Sequence, residues 1–192
     1  VCSTGLIGEQ LPRDRVLAGV ERAVAVLSAD GGEDAARAIM TTDTVPKTTV
    51  QSHGGWTIGG MAKGAGMLAP GLATMLVVIT TDAIVDPDDL DAALRAATRV
   101  TFDRLDSDGC MSTNDQVTLL ASGASGVRAD PAEFRRVLTE VCESLAVQLW
   151  ADAEGASHQI DIEVANAATE DDAVAVARAV ARSNLFKTAI FG

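Results

Sequence analysis

The sequence predicts a layered α/β domain, an α+β sandwich in which helices cover a sheet, and a few observations carry that expectation. The apolar, β-branched run TMLVVIT at residues 74–80 has the length and composition of a strand buried on both faces. Phe134, Val137, Leu138, Val141, Leu145 and Leu149 recur at helical spacing as the longest apolar stripe of the chain. Segments of the two kinds alternate along 192 residues without repeats or low-complexity tails, and 47% apolar residues can fill one substantial core.

In chain order, Val16, Leu17, Val20, Val24 and Leu27 predict an amphipathic first helix, and residues 34–40 a shorter one leading into Thr41. Residues 54–71, GGWTIGGMAKGAGMLAPG, hold seven glycines and a proline, a density that ordinary helices and central strands reject, so a loop is expected there. After the strand at 74–80, Asp86 is placed to cap a helix with Pro87 in its first position and Leu90, Ala93, Leu94 and Ala97 as its stripe. A strand follows at 116–121, then the long helix, which ends before the polar, small residues 152–157. Ile160, Ile162 and Val164 alternate with polar residues as a half-buried strand does. Thr169 and Asp172 form a capping box for a helix reaching about Arg182, and residues 185–191 read as a last strand.

Charge narrows the partners. The net charge of −12 repels phosphate backbones and anionic lipid, and no apolar run approaches the roughly 18 residues of a membrane span, so neither nucleic acid nor membrane is an expected partner. Residues 1–73 carry 6 basic and 7 acidic side chains and residues 74–192 carry 9 and 20, or −1 and −11. Residues 1–9 show no basic segment followed by an apolar one, so a cytoplasmic setting is the expectation. Cys2, Cys110 and Cys142 form neither CxxC nor, with the two histidines, a metal-ligand spacing; reduced, mostly buried thiols and no metal are expected.

The segment GGMAKGAGM offers backbone N–H groups and a lysine, yet lacks the GxxxxGK[ST] spacing of a phosphate-binding loop. Taken alone it reads as a flexible turn. Its continuation changes that reading: KGAGMLAPGLATMLVVITTDA at residues 63–83 joins STGLIGE at 3–9, MTTDTVPK at 40–47, STND at 112–115, DAEGA at 152–156 and KTAIFG at 187–192. Together and in their order along the chain these motifs resemble the bifunctional ornithine acetyltransferases, also called glutamate N-acetyltransferases, of arginine biosynthesis.

The resemblance implies an N-terminal-nucleophile-like, self-processing fold of the ornithine acetyltransferase and DmpA type. It implies cleavage between Ala73 and Thr74, so that residues 1–73 are the C-terminal part of an alpha chain and residues 74–192 the N-terminal part of a beta chain, with family segments missing at both ends. Thr74 becomes the nucleophile. Its freed α-amine, with a reference pKa of about 7.7 to 8.0, can serve as the base for its own hydroxyl. Thr4 and Gly5 match the oxyanion-stabilising pair, donors worth roughly 3 to 4 kcal/mol each in comparable acyl-transfer sites. Thr41, Lys63, Thr74 and Glu154 match substrate-holding positions, and a lysine and a glutamate complement the two charged ends of an acetylated amino acid. The implied reaction moves acetyl from N2-acetylornithine to glutamate without metal or bound cofactor, with acetyl-CoA as a further donor in some members. The implied partners are these small molecules and the paired chains of a heterotetramer, two alpha and two beta.

Departures from the pattern are local. Ala153 replaces a usual glycine, with an expected loss of backbone freedom at that turn, and His158 stands at a common lysine position as surface variation. Cys110 and Met111 are read as packing. Asp106, Asp108, Gly109 and Asp115 fall at positions of a calcium loop, but Arg104 occupies its first ligand position. Asp86, Asp88, Asp89 and Asp91 read as favourable charge at a helix N-terminus. Beside the transferase stand two other readings: an amidohydrolase or aminopeptidase of related fold, and a metabolite-binding module that never cleaves. Residue by residue the plain alternatives are a strand position for Thr74, a loop for Thr4 and Gly5, and exposed charges for Lys63 and Glu154.

Overall fold

A computed structural model describes residues 2–3, 8–68, 75–110 and 114–191. Four strands, β1 (Lys47–His53), β2 (Trp56–Lys63), β3 (Leu76–Thr81) and β4 (Gln116–Ala121), form one sheet in the order β1-β2-β3-β4. The first two pairings are antiparallel and β3 with β4 is parallel. Six α-helices, α1 (Arg13–Ala25), α2 (Gly32–Ala38), α3 (Pro87–Val100), α4 (Pro131–Ala151), α5 (Glu170–Ala181) and α6 (Asn184–Phe191), and a short 3-10 helix (Phe102–Arg104) complete the described fold. β1 and β2 are joined by Gly54 and Gly55, both at positive φ (+56° and +89°), the backbone that a two-residue hairpin turn demands. The parallel pair is connected through α3, as parallel strands require.

The core lies between one face of the sheet and α3 and α4. Ile58, Ala62, Val77 and Ile79 meet Ala93 and Ala97 of α3 and the whole predicted stripe of α4, in which Phe134, Val137, Leu138, Val141, Leu145 and Leu149 are all buried. Local signals place these helices: Asp130 accepts from the N–H groups of Ala132 (3.0 Å) and Glu133 (3.1 Å) at the start of α4. Thr169 Oγ1 accepts from Asp172 N–H at 3.1 Å, the expected cap of α5. Asp86 occupies the N-cap of α3, but its carboxylate pairs with Arg128 at 3.0 Å instead of the helix N–H groups.

Several expectations are corrected. The glycine-rich segment is no loop over its first half: it is β2, a central strand. Its glycines make room, since a Cβ on Gly60 would lie 3.0 Å from Leu145 Cδ1 of α4. β1 departs from the expectation because its more covered positions, Lys47, Thr49, Gln51 and His53, are polar, so the apolar alternation that a half-buried strand ordinarily shows is missing. β3 is not buried on both faces: α3 and α4 cover one side, while Val78 is half-buried and Thr80 exposed. Residues 160–164 form no strand. Residues 185–191 lie in α6, where Phe186, Lys187 and Ile190 share a half-buried helical face; short apolar runs do not distinguish helix from strand by themselves. The stripe of α1 exists, yet no residue of that helix is buried. Of the cysteines only Cys142 is buried, Cys110 being exposed and Cys2 intermediate. Among the described residues no helix is long and apolar enough to cross a membrane.

Candidate active site

One end of the sheet collects the chemistry. The strand register aligns Lys63 of β2, Leu76 of β3 and Gln116 of β4, so Gly64, Met75 and Asp115 continue the row at the sheet's rim. Met75 bridges the last two: its N–H donates to Asp115 Oδ1 at 2.8 Å, and its carbonyl accepts from Gln116 N–H at 3.0 Å. Burial pushes the Asp115 carboxyl up to about 6, against the opposing effects of the Met75 N–H and the Lys63 charge.

Lys63 is buried, with 1% of its surface exposed, and so is not the exposed charge that its residue type suggests. Burial lowers its pKa; Asp43 and Asp115 counteract this and nearby Lys47 adds to it. Asp43 is the hub beside it. Its Oδ1 accepts from Gly64 N–H and from the Lys47 ammonium, both at 2.6 Å, and its Oδ2 from Thr41 N–H at 3.1 Å. Lys47, wholly buried, also reaches Asp152 Oδ2 at 2.6 Å. Asp152 in turn accepts from the Thr44 N–H at 2.9 Å and from the Thr44 hydroxyl. Burial would raise both carboxyls, but the N–H donors and Lys47 outweigh it and hold Asp43 and Asp152 below the usual carboxylate range.

Glu154 follows in the turn after α4. Its N–H donates to Ala65 O at 2.6 Å, and its exposed carboxylate stands against Gly66, where an added Cβ would lie 3.2 Å from Oε2. The left-handed position of this turn is Gly155 (φ +69°), whereas Ala153 keeps an ordinary φ, so the alanine there carries no backbone strain. Thr41, Lys63 and Glu154, the described substrate positions of the resemblance, are thus tied to one sheet end through Asp43 and Ala65. Thr4, Gly5, Ala73 and Thr74 lie outside the described residues. The acidic run that resembles a calcium loop has other partners: Asp106 pairs with Arg182 (3.0 Å), Asp108 accepts from Met67 and Cys110 N–H (both 2.9 Å), and Asp115 serves Met75.

A sequence model of the ArgJ family matches residues 1–192, the whole chain. The chain belongs to the ArgJ family. The arginine biosynthesis bifunctional protein ArgJ of Streptomyces avermitilis is 68% identical over 192 residues, covering all of this chain and 50% of that protein. Its counterpart from Thermobifida fusca is 65% identical over the same span, again half of the relative's length. The crystal structure of the ArgJ protein from Bacillus halodurans superposes with a TM-score of 0.55 at 40% identity, over 66% of this chain and 59% of that one. The chain therefore spans about half the length of the curated ArgJ proteins it matches, and its layered α/β fold is an ArgJ fold.

Within this ArgJ chain, Asp43, Lys47 and Asp152 carry no individual signal in the sequence, and Asp115 stands out there only as a calcium-loop position. Each sits inside a quoted motif, MTTDTVPK, STND or DAEGA, and that membership was the available signal. Their joint role depends on contacts such as Lys47 with Asp152, 105 positions apart.

Proposed function

We propose that the protein of which this chain forms part transfers the acetyl group of N2-acetylornithine to glutamate through an acyl-enzyme on Thr74, after self-cleavage of the Ala73–Thr74 bond. In the cleavage step the Thr74 hydroxyl attacks the Ala73 carbonyl and the C–N bond opens to an ester; water then hydrolyses the ester and leaves Thr74 with a free amine. In the first transfer that amine takes the hydroxyl proton, the oxygen attacks the acetyl carbonyl, and ornithine leaves with the proton on its nitrogen. In the second, the amino group of glutamate attacks the threonyl ester and departs acetylated. The Thr4 hydroxyl and the Gly5 N–H stabilise the oxyanion of each tetrahedral intermediate. Thr41, Lys63 and Glu154 hold the substrate, one cation and one anion for the two charged ends of an acetylated amino acid.

The observation that carries the reading is the gathering of Thr41, Lys63 and Glu154 on the sheet end where Met75, next in sequence to Thr74, is anchored to Asp115. No step requires a metal or a bound cofactor. Acetyl-CoA as an alternative donor, association of the cleaved chains as two alpha and two beta, and a cytoplasmic setting belong to the same reading. Intact mass of the full-length polypeptide under denaturing conditions, with N-terminal sequencing, tests it. Two pieces are expected, one beginning Thr74-Met75-Leu76, with Thr74→Ala leaving a single piece. An uncut chain from an active preparation overturns the mechanism. Release of free acetate in place of acetylglutamate points instead to water as acceptor, the hydrolase reading.

A further inference from the structure

We propose that Lys47 is a positioning residue for substrate recognition, acting through Asp43 and Asp152 on the segments that carry Thr41, Lys63 and Glu154; the inference rests on the reading above that these three hold substrate. The bonds close a ring. Lys47 joins Asp43 and Asp152, both at 2.6 Å. Asp43 binds the N–H of Gly64, the residue after Lys63, and the N–H of Thr41. Asp152 stands two residues before Glu154, whose N–H returns to Ala65 O at 2.6 Å and so to the glycine segment beginning at Gly64. Every member of the ring except Lys47 is either a proposed substrate group or within two residues of one, and only Glu154 and Thr41 among them are exposed.

Stability alone is a poor reason for such an arrangement. A buried ion pair recovers in attraction little more than its desolvation costs, and apolar packing of the same volume often stabilises as well. Apolar side chains, however, cannot accept hydrogen bonds from Gly64, Thr41 and Thr44 at once. The ammonium keeps two carboxylates ionised and facing it, which leaves their other lone pairs aimed at those backbone donors. The strap at residues 41–47 and the turn at 152–155 are far apart along the chain, Lys47 and Asp152 by 105 positions, and Lys47 fixes their separation in space. The distance between Glu154 and Lys63, which must match the charged ends of one substrate, is set by this ring.

The test uses the full-length, self-processed enzyme. Asp152→Asn keeps an oxygen acceptor for Thr44 and leaves Lys47 balanced by Asp43, so the buried charges remain paired. With N2-acetylornithine as donor, the expected result is a KM raised about tenfold, a kcat changed much less, and unaltered self-cleavage by mass. In a Glu154→Gln background the same change should add less than about twofold, because both act on one group. A KM within about twofold of the parent overturns the inference, whatever happens to Tm, and so does an undiminished effect in the Glu154→Gln background. Should Asp152→Asn prove insoluble, Thr44→Val, which removes only the hydroxyl partner of Asp152, is judged by the same KM criterion. A parent enzyme that neither cleaves nor exchanges acetyl groups sinks the functional reading and this inference together; an active parent with an unmoved variant sinks the inference alone.

Discussion

Met75 donates its backbone N–H to Oδ1 of Asp115 across 2.8 Å, and burial pushes that carboxyl up to about 6 even with the hydrogen bond and Lys63 favouring its ionised form. An aspartate raised above its unfolded value near 4 binds more protons in the folded state between those two values. Folding stability from this group therefore falls as pH rises from about 4 to 6 and stays lost above. The effect is on the order of 2 kcal/mol, since partial exposure discounts the full shift. Asp115→Asn retains an oxygen for Met75 and cannot ionise. Thermal melts should show its Tm above the parent's at pH 8 and equal to it at pH 4; no gain at pH 8 contradicts the assignment.

Lys47 predicts the opposite limb. Asp43 and Asp152 are held below the usual carboxylate range, so their contribution is present above about pH 4 and is lost as pH falls through their folded values. Lys47→Met strands two carboxylates, one fully and one nearly buried, and should cost about 3 to 5 kcal/mol at pH 7. The cost should shrink toward pH 3, where protonated carboxyls no longer need a cation. Urea unfolding at pH 3, 5 and 7 checks both statements, and a cost independent of pH argues against the ion triad.

The legible parts of the fold were those written locally. The stripe of α4 and the capping threonine of α5 depend on residues within a few turns of one another, and both stand where the sequence put them. β2 was not legible, because glycine density signals a loop unless one knows that Leu145, 85 positions later, packs over Gly60. The site divides in the same way. Thr41, Lys63 and Glu154 came from motif resemblance, whereas the bonding of Asp43, Lys47 and Asp152 is a tertiary fact that no spacing along the chain encodes.

Gly60 and Gly59 test that account of β2. A Cβ at Gly60 meets Leu145 Cδ1 at 3.0 Å and Ile79 Cγ1 at 3.4 Å, inside the core. At Gly59 the nearest atom is Val50 Cγ2 at 3.6 Å, an ordinary contact on the open face. Gly60→Ala should destabilise by about 1 to 3 kcal/mol through overpacking, and Gly59→Ala by less than about 0.5 kcal/mol. Denaturant unfolding of the pair decides; equal costs would show that close approach of α4 is not why β2 carries glycine there.

Gly66 separates substrate geometry from stability. Its φ is ordinary, so alanine fits the backbone, and the close neighbours of the added Cβ are Glu154 Oε2 at 3.2 Å and Cδ at 3.5 Å, the far end of a flexible, exposed side chain, with Asp108 Oδ2 at an ordinary 4.0 Å. Glu154 can yield by a few tenths of an ångström at little energetic cost, so Gly66→Ala should change folding stability by less than about 0.5 kcal/mol. The carboxylate would then no longer stand where it does beside the glycine segment. If Glu154 holds one end of the acetylated amino acid, KM for that donor rises several-fold with Tm unmoved. A normal KM in a stably folded Gly66→Ala enzyme would mean that the carboxylate's position against Gly66 has no part in binding, and would remove Glu154 from the site while leaving Lys63 and Thr41 in place.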